Sequence, residues 1–323
     1  MIAFEVLCGI HVMPRSYRIY VFLLSSLLGG SGLAGASSPG DFVLDEIAPG
    51  IFLHRGHHAD LEDPARGDSA NIGFIEGQRC VAVVDSGGSI ATGARLVLAI
   101  QKHVQKPVCY VINTHVHFDH VLGNGAFANE ELQFIGHRNL AEALPANRKF
   151  FAEFFSEELG GGDMAEKLTA PQLLVEERIE IDLGERPVVI ESHRVAHTNT
   201  DVTVHDLKTN TLWTGDLLFR ERMPVLDGSL KGWLAWMDVA TKSPYTLVIP
   251  GHGAPDRAWP QGAAAQYRYL KALLDQTRAA VAEGVFIEDA KGVVANDEKT
   301  RWQLSERAHA RNVSRAFREL EWE

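Results

Sequence analysis

Residues 41–56, DFVLDEIAPGIFLHRG, alternate apolar and polar positions around a Pro-Gly pair, which predicts a hairpin. Residues 71–76 and 80–84 read as two strands about a turn at Gly77-Gln78. Residues 90–103 then carry apolar positions at helical spacing, and 108–113 form a short β-branched run of the kind found in buried strands. Strand, helix and strand in about thirty residues make a βαβ unit, so this part of the sheet is expected to be parallel. Residues 138–170 are rich in Ala, Glu, Leu and Phe and read as helical, with a break at Gly160-Gly161-Gly162. Phe150, Phe151, Phe154 and Phe155 fit that spacing and would fill a core or cover a pocket. From 171 the pattern returns to strands, at 178–183, 188–191, 202–205, 211–219 and 245–249. Two helical stretches, 263–282 and 298–318, close the chain and are read as covering the sheet rather than as a separate domain.

The 323 residues, 46% of them hydrophobic, suffice for one large domain or two small ones. A formal net charge of −11 speaks against a nucleic-acid partner and leaves a small molecule as the expected ligand. From Met13 the chain reads MPRSYRIYVFLLSSLLGGSGLAGASS, with basic Arg15 and Arg18, an apolar core at 19–28 and Ala34-Gly35-Ala36 as a cleavage site. Residues 1–36 are therefore expected to be a signal peptide, with translation starting at Met13. The mature domain, 37–323, is expected in the periplasm without a membrane anchor, the core being short for a span. Cys8 would leave with the leader. Cys80 and Cys109 each lie five residues before the end of an apolar strand, so they could sit level. A disulfide is open to them in an oxidising compartment, and buried free thiols are the preferred reading.

The candidate chemistry starts where the 108–113 strand ends, at Thr114-His115-Val116-His117-Phe118-Asp119-His120. His115 and His117, two apart, project to one side of an extended backbone, and Asp119 and His120 can serve a second ion. Neutral imidazole and carboxylate are ligands that divalent zinc or iron accepts. Three later strands meet a His or Asp at or beside an end: His197, Asp216 and His252. Asp85, at the end of the 80–84 strand, and Asp201 are candidates to stand behind the ligands and orient them. His54, His57 and His58 fall in or beside a polar loop and could line a pocket mouth as surface or substrate-facing groups. In residues 220–236, Arg222 and Lys231 could receive a carboxylate, and Trp233 could pack against an apolar part of a substrate.

The ordered set His115-x-His117-x-Asp119-His120, His197, Asp216 and His252, with Asp85 ahead of it, resembles the metallo-β-lactamase superfamily over roughly residues 42–256. The resemblance implies a four-layer αβ/βα sandwich, two face-to-face sheets with helices outside and metals at one edge. It implies that His115, His117 and His197 hold one ion and Asp119, His120 and His252 another, with Asp216 bridging. Two zinc ions are expected, with iron or manganese open. A hydroxide held between them would attack an ester, thioester, lactone or amide-like substrate, with Asp119 and Asp216 orienting it and passing on its proton. Asp216, where β-lactam-hydrolysing members commonly carry cysteine or serine, points away from antibiotic hydrolysis as the main task. The stretches WTGDLLFRERMPVLDGSLKGWLAWM and HARNVSRAFRELEWE are similar to the SoxH-related quinoprotein relay system zinc metallohydrolases. That resemblance implies an association with periplasmic quinoprotein dehydrogenases or cytochromes. Two other readings are a sulfur dioxygenase-type oxidoreductase with one iron and a non-catalytic metal-binding partner of a dehydrogenase.

Overall fold

The structure, a computed structural model, describes residues 42–127, 131–161 and 168–323. The expected leader and its Cys8 lie outside the described residues, as does the 162–167 part of the expected helical stretch. The described residues fall in one unit, Asp41–Glu323.

The Pro49-Gly50 turn joins β1 (Asp45–Ala48) and β2 (Ile51–His54) as an antiparallel hairpin. Gly50 takes a φ of +69°, a conformation that side chains with a Cβ rarely adopt. β3 (Ile72–Glu76) and β4 (Val81–Val84) continue the meander. α1 (Ile90–His103) begins at Ser89, whose hydroxyl caps the Thr92 amide, and crosses to β5 (Val108–Ile112), parallel to β4. α2 (Phe118–Val121) follows the histidine cluster as one short turn. β6 (Gln133–His137), α3 (Leu140–Ala146), α4 (Arg148–Phe154) and β7 (Leu173–Val175) complete a sheet of order β1-β2-β3-β4-β5-β6-β7. The second sheet comprises β8 (Arg178–Asp182), β9 (Pro187–Ser192), β10 (Val202–Asp206), β11 (Thr211–Phe219) and β12 (Leu247–His252). It is antiparallel except for the β11–β12 pair.

The sheets face each other across a core that includes Ile51, Ile75, Val84, Ile112, Ile190, Val204, Trp213 and Ile249. α1 covers the outside of the first sheet through Leu96 and Ile100. α5 (Leu230–Ala240), α6 (Ala264–Ala282), α7 (Ile287–Val293) and α9 (Ser305–Leu320) cover the second, and α8 (Asn296–Lys299) is one turn between α7 and α9. Helix, sheet, sheet and helix give the four layers.

Several expectations need correction. β6 stands where no strand was expected. The helix expected over 298–318 is broken, because residues 300–304 give their backbone to another partner. Gln303 bonds Glu221 and Met223 through its amide and carbonyl, and Leu304 then turns left-handed (φ 54°) ahead of α9. Cys80 and Cys109 are joined as a disulfide, not free, with their Cα atoms 5.8 Å apart. The register explains this: Val81 pairs Val108 and Ala82 pairs Tyr110, so Cys109 is the extra residue of a bulge beside Cys80.

Candidate metal centre

The seven His and Asp side chains come together at one edge of the sandwich. They form two groups, His115, His117, His197 and Asp216, then Asp119, His120 and His252, the ligand atoms within 4.8 Å of one another in each. β5 leads into His115, His197 lies in the loop between β9 and β10, Asp216 sits inside β11 three residues before its end, and β12 ends in His252. Gly251 is required for this approach, since a Cβ there would stand 1.9 Å from Asp216 Oδ1.

Hydrogen bonds fix which nitrogen of each histidine is free. His197 Nδ1 donates to Val225 O at 2.7 Å, and His252 Nδ1 to Ser69 O at 2.9 Å. His120 Nδ1 donates to Asp85 Oδ2 at 2.8 Å. The Thr114 hydroxyl donates to Asp85 at 2.8 Å, so it must accept from His115 Nδ1 at 3.0 Å. In its neutral form each of these four histidines therefore presents a bare Nε2 to the cluster. His117 is reversed: Nε2 lies 2.8 Å from Asp227 Oδ2, leaving Nδ1 bare, 3.0 Å from His197 Nε2.

Two lone pairs at that distance repel unless a cation or proton lies between them. His115 Nε2, His120 Nε2 and Asp216 Oδ1 are likewise buried with no hydrogen-bond partner. Asp216 presents one oxygen to each group. Its Oδ2 lies 3.7 Å from His115 and 3.4 Å from His197, and its Oδ1 lies 3.2 Å from His120 and 3.3 Å from His252. Such a donor set fits two divalent ions of the zinc class, with Asp216 shared.

The electrostatics agree with that fit. Burial opposes ionisation of Asp216, but His252, His120 and His115 hold its carboxyl well below the usual range. Burial, then the neighbouring His120, pushes His115 well down, and burial takes His197 to about 3, so both imidazoles are neutral ligands. His120 is pulled the other way: burial would lower it, and the Asp216, Asp85 and Asp119 carboxylates raise it well above its usual value. Positive charge is thus favoured at its Nε2.

A family model for the metallo-β-lactamase superfamily matches residues 65–252, more than half of the chain. The chain belongs to the metallo-β-lactamase superfamily. No curated protein matches it. Among solved structures it is similar to a metallo-β-lactamase from Pontibacter korlensis, at 15% identity and TM-score 0.56, over 71% of this chain and 98% of that one. It is also similar to a stereoselective inverting sec-alkylsulfatase from Pseudomonas sp., at 18% identity and TM-score 0.62. That match spans 87% of this chain and 50% of the sulfatase.

In this superfamily member Asp85 lies behind the ligands. Both its oxygens are engaged, by the Thr114 amide and hydroxyl and by His120. Asp201 stands behind the His197 loop, accepting from the Thr198 amide and hydroxyl, while burial raises its carboxyl to about 7 against those bonds. Two residues not anticipated matter as much. Asp227 orients His117, and Arg311 binds its other oxygen. Ser69 donates to Asp119 Oδ2 at 3.0 Å and supplies the carbonyl that orients His252. Both fall in stretches marked for function, the 220–236 segment and the polar loop, though nothing local singled them out.

A cleft of about 630 Å³ opens over the ligands, and Phe150, Phe151 and Phe155 line it with Arg222. Arg222 Nη1 approaches His252 Nδ1 at 3.3 Å, but that nitrogen already donates to Ser69, so no good hydrogen bond forms. Three substrate-facing expectations need correction. Lys231 points away and pairs with Glu323 at 2.8 Å. Trp233 is fully buried, with its indole N–H on Leu217 O and its ring against His197 at 5.3 Å, so it backs a ligand instead of meeting substrate. His58 is tied to Glu221 at 2.9 Å and does not line the cleft. His54 is no mouth residue either: it is buried, stacked on Phe42 and bonded to Asp68 at 2.7 Å.

Proposed function

We propose that this chain is a dinuclear zinc-dependent hydrolase of small molecules, acting on an ester, thioester, lactone or amide-like bond. The observation that carries the reading is the Asp216 carboxylate, whose two oxygens face two separate sets of bare, buried nitrogens. His115, His117 and His197 would hold one ion and Asp119, His120 and His252 the other, with Asp216 common to both. Bound there, the ions would supply a water with its pKa lowered toward about 7 and an electrophile for the substrate oxygen. The chain supplies the rest. Asp85, Asp227, Thr114 and the Val225 and Ser69 carbonyls hold the imidazoles in the required tautomers. Asp119 and Asp216 are the carboxylates placed to orient a water and take up its proton. The cleft phenylalanines limit access of bulk water.

The superfamily consists mostly of hydrolases, and an alkylsulfatase is among the similar structures, which adds sulfate esters to the substrates worth testing. A mononuclear iron oxygenase would leave the Asp119, His120 and His252 set without a purpose. Export to the periplasm is part of the proposal, supported by the leader-like sequence and by the Cys80–Cys109 disulfide, which suits an oxidising compartment. Kinship with the SoxH-related enzymes, and with it a quinoprotein dehydrogenase or cytochrome partner, rests on the sequence resemblance. The test is metal content per chain by elemental mass spectrometry, followed by a hydrolysis screen of thioesters, lactones, β-lactams and sulfate esters. About two zinc ions and turnover of one class support the reading; one iron per chain, or turnover that survives metal stripping, defeats it.

A further inference from the structure

We propose that α9 forms the selecting wall of the cleft and that the substrate is an organic anion with an apolar body. Its carboxylate-type group would rest on Arg315, its apolar part on Phe150 and Phe151, and its scissile bond over the ligand cluster. The proposal rests on the hydrolase reading of the same cleft and adds the class of substrate.

Arg307, Arg311 and Arg315 recur at four-residue intervals, so they share one side of α9, and all three line the cleft. Like charges at that spacing repel and weaken a helix. Two of them have compensation: Arg307 pairs with Glu62 at 2.7 Å, and Arg311 pairs with Asp227. Arg315 has none. Its Nε reaches the Gly228 carbonyl at 3.3 Å, and among the described residues no carboxylate lies within ion-pair distance. Helix polarity does not account for it, because the basic residue of the last turn is Arg318. On the cleft floor Arg222 makes no ion pair among the described residues, although its charge helps to lower the Asp119 carboxyl, and its Nε is buried without a hydrogen-bond partner.

A chain of net charge −11 thus places four arginines around one cleft, beside Asp60, Asp119, Asp216 and Asp227, and among the described residues Arg315 is the one of the four with no carboxylate acting on it. Arg222 lies against the ligand His252 and would face the reacting group. Arg315 is the recognition end. Phe150, 45% exposed, and Phe151 add an apolar lining to the same space. A neutral polar substrate would use neither feature, and a purely apolar one would desolvate the guanidiniums without return.

The experiment titrates the full chain with 6-phenylhexanoate and with 6-phenylhexan-1-ol, each against zinc-loaded and chelator-stripped protein, following tryptophan fluorescence. The acid is expected to bind more tightly than the alcohol in both metal states. Arg315→Gln should weaken the acid by about three- to fivefold, the scale of an exposed ion pair, and leave the alcohol unchanged. Arg315→Lys should recover part of the loss, and Phe150→Ala should weaken both ligands. Equal binding of acid and alcohol would overturn the proposal. So would acid binding that vanishes on stripping and ignores Arg315→Gln, since the carboxylate would then be held by metal alone. If the chain takes up no zinc, the hydrolase reading fails, whereas acid binding that depends on Arg315 still supports an anion site.

Discussion

β10 runs between two buried clusters of ionisable side chains, and the two treat burial in opposite ways. At its last residue Asp206 receives Arg186 through Nε at 2.8 Å and Nη2 at 2.9 Å, with the Thr209 amide and hydroxyl on the same carboxylate. The guanidinium also bonds the Glu76 and Pro49 carbonyls, which ties the hairpin edge of one sheet to the other. That cluster closes on itself. At the first residues of β10 the chain comes from His197, and there bare nitrogens face one another across 3.0 Å and Asp216 Oδ1 has no partner. A buried ionic group with every bond made is a structural pin, costly to break and needing nothing from outside. A buried set of acceptors that all point inward is complete only with cations or protons.

The contrast can be broken at either end. Asp216→Ala should remove the group common to both ligand sets, so that zinc per chain falls below two. Turnover should drop by about a thousandfold or more, given several kcal/mol of charge stabilisation lost. Retention of two zinc ions would show that Asp216 is not shared. Arg186→Ala leaves Asp206 buried and alone, and unfolding in urea should report a loss of about 3–5 kcal/mol with zinc content unchanged. Asp227→Asn should lower zinc affinity by about 10–100-fold, as loss of a group orienting a ligand does. Zinc competition with a chromogenic chelator reads that directly.

The smallest effect is one of pH. Burial works to raise the Asp206 carboxyl, but the hydrogen bonds from Arg186 and Thr209 lower it below the ordinary 3.8. Its folded form therefore binds a proton less readily than its unfolded form, so its contribution is complete above about pH 4. That contribution is lost as pH falls through the depressed value. The melting temperature of the wild type should drop more steeply below pH 4 than that of Asp206→Asn; parallel curves would exclude Asp206 as a source.

Much of this layout was legible in the sequence because its signals are local. Alternation around Pro49-Gly50 gives the hairpin, the β-branched run before Thr114 gives the central parallel strand, and four of the seven candidate ligands fall within the six residues His115–His120 just after it. What stayed hidden acts through space. Asp227 meets His117, and Ser69 meets Asp119, only once strands distant in sequence are neighbours. Gln133-Phe134-Ile135-Gly136-His137 has two adjacent large apolar residues and a glycine, too little alternation to mark a strand. Trp233 is readable in principle: Leu230, Trp233, Leu234 and Met237 follow the buried stripe of α5, a helical period that places the indole in the core. The disulfide turned on a one-residue bulge, which no propensity encodes.

All seven ligand residues lie at or before His252, and the helix with the unbalanced arginine begins at Ser305, beyond the 65–252 stretch that carries the family pattern. If α9 selects the substrate as proposed, reactivity and taste are written in separate segments of the chain. Changes in the helical tail would then retune what enters the cleft while the candidate metal-holding residues stay untouched, so the tail would be the natural place for a lineage, or an engineer, to trade one substrate for another.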